Sequence, residues 1–373
     1  MAHATEDDDQ RSPTILMAPV AAPLTPAWLT QVLGRPSTSG TGAEPARVLD
    51  VRVEPLGVGI GLLGTLHRLE LTWSDGSGPS RVVIKGPAEG ASSRAVASLF
   101  GMHRTEVGFY RDLAAATGVA VPCHHTASDE VSQDFVLVLA DQSGDITFDQ
   151  LEGCPPDRAR TVVTALADLH ARYWDGAGLA PATWLRPLDH ADLVDAFRAA
   201  LRTTWPEVQA RFPDDLAPII EIGDRLEALI PLVTATLSRA PITLTHGDAR
   251  LDNVFFGGPD RVMLCDWQLA GTSRGPRDLA YFLTQSLTTV DRASCERLLF
   301  EEYLARLAAQ GVTGYGPTQA WLDYRAGTLL GLVYAVIAGG GLDHATPRAT
   351  ALARAMVQRS VAAAVDHDCA SLG

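Results

Sequence analysis

The segment Thr245-His246-Gly247-Asp248-Ala249-Arg250-Leu251-Asp252-Asn253 sets an aspartate and an asparagine five residues apart, and Asp266 follows an apolar run, Val262-Met263-Leu264-Cys265. These residue types at this spacing suit phosphoryl transfer. Asp248 can orient an attacking hydroxyl and accept its proton. The amide oxygen of Asn253 and the carboxylate of Asp266 can hold magnesium, a hard cation that prefers oxygen, against nucleotide phosphates. Arg250, two residues past Asp248, can neutralise charge on the transferred group. The plainer alternative is a hairpin loop whose Asp and Asn cap turns. Asp266, at the end of the next strand-like run, favours the chemistry. His246 reads as a residue that holds the loop, Asp252 as a turn residue and Trp267 as packing.

Upstream, Gly57-Val58-Gly59-Ile60-Gly61-Leu62-Leu63-Gly64 contains G-x-G-x-x-G at Gly59, Gly61 and Gly64. A dinucleotide fingerprint requires a helix immediately afterwards, whereas Thr65 to Trp73 alternates as a strand. Gly59 and Gly61 therefore suit a glycine-rich hairpin over nucleotide phosphates; a plain flexible hairpin is the alternative. Lys85 ends the apolar run Val82-Val83-Ile84. Burying an unpaired ammonium is costly, so phosphates and a helix carboxylate are its expected partners. Glu106, in the following helix, is the candidate; an exposed strand-end lysine is the other reading.

Elements must position these groups. Thr25-Pro26 marks a helix start. Strands are expected over Val48 to Glu54, Thr65 to Trp73 and Arg81 to Lys85, then one helix over Ser92 to Thr117, then strands at Val119 to Thr126 and Phe135 to Ala140. After Asp141 the pattern is helical: Asp157 to Trp174, Ala191 to Thr203, Pro218 to Arg239, Arg277 to Thr288, Arg292 to Gln310, Thr318 to Ala338 and Pro347 to Asp366. Short strands interrupt it near 242–245, 253–256 and 262–266. Residues 1–24 read as a flexible N-terminus, 25–140 as a small lobe, 141–146 as a connector and 147–373 as a larger helical lobe. Asp278 at a helix start reads as structural support, and His170 on an amphipathic helix as a satisfied interior residue.

A chain of 373 residues with 46% hydrophobic and 20% charged residues fits a globular protein of two lobes. A net charge of −14 disfavours a nucleic-acid partner. It leans towards a cationic or neutral substrate, although seven acidic residues of the 180–240 region read better as solvated helix faces. Five scattered cysteines without a C-x-x-C pair, and no secretory signal pattern, point to a reduced, cytoplasmic setting. No run is apolar and long enough to span a bilayer; Thr328 to Gly341 reads as a buried helix. A monomer or homodimer is expected.

His246-Gly247-Asp248 with Asn253, Asp266-Trp267 and Asp278-Leu279-Ala280 together resemble the aminoglycoside phosphotransferase and choline kinase superfamily, over roughly residues 48–340. The run from Asp266-Trp267-Gln268 through Gly275-Pro276 to Asp278-Leu279-Ala280-Tyr281 looks most like its ecdysteroid-kinase-like branch. The resemblance implies an α+β, bilobal protein-kinase-like fold: a nucleotide-binding N-lobe with an antiparallel sheet and a helix, a hinge, and a mostly helical C-lobe. It implies ATP or GTP with Mg2+ as cofactors and a small hydroxylated molecule as acceptor. Asp248 would be the base, Asn253 and Asp266 the metal ligands, and Lys85 a phosphate contact paired with Glu106. Leu139 and Asp141 would belong to the hinge that meets adenine. Ala140 departs from relatives with an acidic residue there. A nucleotide-binding pseudokinase or scaffold is the rival reading.

Overall fold

The computed structural model describes residues 24–34, 45–57, 64–129, 132–341 and 346–372. A first helix, α1 (Pro26–Leu33), starts where Thr25 Oγ1 accepts from Trp28 N at 3.1 Å and Pro26 fills the first turn. Five strands follow with three helices between them: β1 (Val48–Leu56), β2 (Gly64–Trp73), β3 (Arg81–Pro87), α2 (Ala91–Leu99), α3 (Met102–Asp112), α4 (Ala114–Thr117), β4 (Cys123–Asp129) and β5 (Asp134–Ala140). They form one antiparallel sheet in the order β1-β2-β3-β5-β4. One face of it closes over Leu29, Leu69, Val82, Ile84, Val136 and Val138. Strand β2 directly follows the glycine segment, which rules out the dinucleotide context; Gly59 and Gly61 themselves lie outside the described residues.

The single helix expected over 92–117 is three. Gly101 adopts φ +63°, a left-handed conformation that interrupts the helix. A Cβ there would sit 2.8 Å from the Arg186 guanidinium, which donates to the carbonyl of Phe100. Helix α2 buries none of its residues, and Leu99 is 47% exposed.

The remainder is chiefly helical: α5 (Pro156–Arg172), α6 (Ala191–Arg211), α7 (Pro213–Leu216), α8 (Ile220–Gly223), α9 (Leu226–Leu237), α10 (Pro276–Ser286), α11 (Thr289–Ala309), α12 (Pro317–Gly341) and α13 (Pro347–Asp366). Two small antiparallel ribbons interrupt it: β6 (Thr243–Thr245) with β9 (Gly271–Ser273), and β7 (Val254–Phe256) with β8 (Val262–Leu264). Two boundaries differ from expectation. Helix α6 runs on through Pro206 to Arg211, and the helix expected over 218–239 begins only at Leu226, after short turns from Pro213. Helix α12 is the central post, buried from Ala326 to Val333. Gly327 lets it press on α10: a Cβ there would meet the Arg277 Cα at 2.8 Å. That contact sets the start of α10, which supplies three residues discussed below. Among the described residues no helix is long and apolar enough to cross a membrane.

Candidate active site

The ribbon β7–β8 explains why residues far apart in the loop meet. Val254 pairs with Leu264, and Cys265 N donates to the Asn253 carbonyl at 3.1 Å. The residues just outside the ribbon, Asn253 and Asp266, therefore emerge side by side. Asn253 Nδ2 donates to the Asp248 carbonyl oxygen at 2.9 Å and to Asp248 Oδ2 at 3.0 Å. A carboxylate only accepts, so the amide nitrogen must face it, and the Asn253 amide oxygen turns to the other side. Asp266 adopts φ +64°, tolerated by aspartate better than by most residues, and directs its carboxylate towards the sheet lobe.

There Lys85 Nζ lies 2.8 Å from Asp266 Oδ1 and 2.8 Å from Glu106 Oε1. Its partner is thus not Glu106 alone: one ammonium joins β3, α3 and the turn after β8. The two carboxylates hold Lys85 protonated, well above the usual lysine range, against the opposing effect of burial. Burial pushes Glu106 upward, with Lys85 opposing it. Trp267 stacks on Phe109 at 3.9 Å between ring centroids, so it packs the turn against α3.

The loop is braced from behind. Asp278, in the first turn of α10, accepts from His246 N and from Gly247 N, the latter at 3.0 Å. His246 Nδ1 accepts from Asp248 N at 3.2 Å, and Nε2 donates to the Cys265 carbonyl at 2.9 Å. It holds the loop, and burial keeps its pKa below the ordinary value. His170, fully buried, meets Tyr303 Oη at 2.8 Å and Asp278 at 3.5 Å, as a satisfied interior histidine does. Gly247, at φ +86°, leaves no room for a Cβ, which would stand 2.1 Å from the Leu269 carbonyl oxygen.

Asp248 is 9% exposed. Desolvation raises its pKa above the usual carboxylate value, opposed first by Arg250. Arg250 Nε is 3.4 Å from Asp248 Oδ1, and its Nη1 donates to Asp252. Asp252 thus does more than fill a turn: it anchors the arginine. The Tyr281 hydroxyl also hydrogen-bonds Asp248. Sequence reasoning passed over Tyr281, although it lies three residues after Asp278 on α10 and so shares that residue's helix face. Just ahead of the connector, Leu139 is buried on β5 between Val83 and Cys123. The Asp141 carboxylate is taken by Arg68 Nε at 3.2 Å and by Ser143.

The phosphotransferase enzyme family model, APH, matches residues 75–326, two thirds of the chain. The chain belongs to that family. Among solved structures, this APH-family chain is similar to spectinomycin phosphotransferase APH(9)-Ia in complex with ADP and spectinomycin (11% identity, 92% of this chain and 97% of that one, TM-score 0.52). It is also similar to a protein from Ralstonia eutropha JMP134 described as a candidate aminoglycoside phosphotransferase (17% identity, 91% and 97%, TM-score 0.51). A third likeness is LicA in complex with AMP (14% identity, 93% and 97%, TM-score 0.50). At these identities the likeness concerns the fold, a bilobal α+β architecture. No curated protein matches the sequence.

Proposed function

We propose that this APH-family chain transfers the γ-phosphoryl group of ATP or GTP, with Mg2+, to a hydroxyl group of a small molecule. The observation that carries the reading is the convergence of Asp248, Asn253 and Asp266 beside Lys85. Asp248 accepts the acceptor's proton as its oxygen attacks phosphorus. Burial helps here: a base raised above the ordinary carboxylate range is a stronger proton acceptor once ionised. Arg250 neutralises charge beside it, and Lys85 offers its ammonium to the nucleotide phosphates.

The chemistry of the donor set fits magnesium. Among the described residues no three His, Cys, Asp or Glu side chains cluster as an all-protein metal cage. One carboxylate and one amide oxygen are what a magnesium ion shared with phosphates and water requires. Asn253 and Asp266 would hold the ion, which would supply charge neutralisation on the nucleotide phosphates. The sequestered side chain of Asp141 favours adenine recognition through backbone groups near Leu139 and Asp141, and Gly59 and Gly61 belong to the hairpin suited to cover the phosphates. The ecdysteroid-kinase-like branch is favoured by the run Asp266 to Tyr281 alone.

The test is ATP consumption across a panel of hydroxylated compounds, with the phosphorylated product identified by mass. Asp248→Asn preserves volume and removes the base; turnover should fall by a factor of about a hundred or more. Retention of wild-type turnover in that variant would sink the assignment.

A further inference from the structure

Asp278 is not the sole support of the catalytic loop. Gln150 lies in the segment between β5 and α5 and is 1% exposed. Its Nε2 donates to the Gln285 carbonyl at 2.6 Å, and its Oε1 accepts from Asp252 N at 3.3 Å. Gln285 stands in the last turn of α10, where carbonyls have no partner within the helix. Arg359 of α13 completes the junction. Its Nη1 donates to the Gln285 carbonyl at 2.6 Å and to the Gln150 carbonyl at 2.8 Å, and its Nη2 to the Leu151 carbonyl at 2.8 Å. A guanidinium suits this end of a helix, where the dipole is negative.

Helix α10, buried along its whole length, thus grips the loop twice. Asp278 in its first turn takes His246 N and Gly247 N. Gln285, about 10 Å further along the axis, takes Asp252 through Gln150. Asp248 lies between the two grips. Asp252 in turn accepts from Arg250, whose Nε is 3.4 Å from Asp248 Oδ1. From this geometry we infer that Gln150 is a positioning residue for phosphoryl transfer: it fixes Asp252 and, through Asp252 and Arg250, the place of the Asp248 carboxylate against the acceptor hydroxyl. A displacement of about 1 Å at such a place costs about a hundredfold in rate. The nucleotide side is held separately, because Asn253 and Asp266 emerge from the β7–β8 ribbon and Trp267 stacks on Phe109. Loosening Gln150 therefore acts on the acceptor half of the site and spares the nucleotide half. The inference deepens the phosphotransferase reading and rests on it for the word acceptor; the grip on Asp252 does not depend on that reading.

Gln150→Met keeps the length of the side chain and removes both of its hydrogen bonds, while the Gln285 carbonyl keeps its Arg359 donor. Hydrogen exchange of the full chain without ligand, read by mass spectrometry, tests the grip. A peptide covering residues 248–253 should exchange at least about tenfold faster than in wild type, with peptides of the five-stranded sheet unchanged. With an acceptor found in the panel of hydroxylated compounds, kcat should fall at least about tenfold while KM for ATP stays within about twofold. Gln150→Asn, which draws the same amide back by one methylene, should show both effects and replaces Gln150→Met where circular dichroism shows that variant unfolded. Unchanged exchange around Asp252, or faster exchange with an undiminished kcat or with a loss carried by KM for ATP, overturns the inference and leaves the phosphotransferase reading standing. ATP consumption by the wild type with none of the compounds overturns that reading instead, and the exchange result alone then decides whether Gln150 grips the loop.

Discussion

Asp248 is where burial and hydrogen bonding oppose each other. Desolvation lifts its pKa, and the Tyr281 hydroxyl, which donates to the ionised form, lowers it again. Tyr281→Phe removes only that donor. On the proposed mechanism the acidic limb of the pH–rate profile follows ionisation of Asp248, and it should therefore move to higher pH in Tyr281→Phe. A limb that stays in place would show that Tyr281 merely packs. At this scale the sequence was most informative for residues whose chemistry is tied to short spacing. Asp248 and Asn253 are separated by one tight loop, and Asp266 by one ribbon. Tyr281 was harder to read because its role arises from the way α10 faces the loop, and a tyrosine in a helix has no spacing signature of its own.

Between elements, glycine decides how closely backbones approach. Gly247 and Gly118 both have positive φ, +86° and +76°, but only Gly247 has backbone against its missing Cβ; Gly118 has nothing within 4 Å. Gly118→Ala should cost about 1 kcal/mol, the backbone term alone. Gly247→Ala adds displacement of the Leu269 carbonyl and should cost roughly 3 kcal/mol or more in urea unfolding, with the loop hydrogen bonds to Asp278 lost. Equal losses in the two variants would mean that the Leu269 contact is immaterial. The break at Gly101 belongs here too. Apolar residues around 96–113 carry helical periodicity on both sides of it, and periodicity does not register a single left-handed residue between two helices.

Across the whole molecule, Lys85 is the pin. The alternation of β1 to β5 and the helical periodicity beyond residue 156 were readable, and so was the bilobal plan; what joins the parts, 181 residues apart in sequence, was not. A pattern could nominate Glu106 for Lys85, because a helix after a strand is local, but the approach of Asp266 depends on Trp267 packing against Phe109. Lys85 and Glu106 side chains are only 9% and 2% exposed, so Lys85→Met would leave two carboxylates facing each other in a poorly solvated space. Breaking a buried pair in this way costs about 3–5 kcal/mol at neutral pH. The sign of its pH dependence follows from Glu106. Its folded pKa is already raised by burial and by Asp266, and loss of the ammonium raises it further. A carboxyl whose pKa is higher folded than unfolded binds its proton more readily in the native state, so folding gains stability as pH falls through the folded value. The deficit of Lys85→Met against wild type should therefore be largest near pH 8 and shrink towards pH 5, measured as the difference in urea midpoints. A deficit constant over that range would place the loss in packing of the lysine stem and not in the charge that holds the two lobes together.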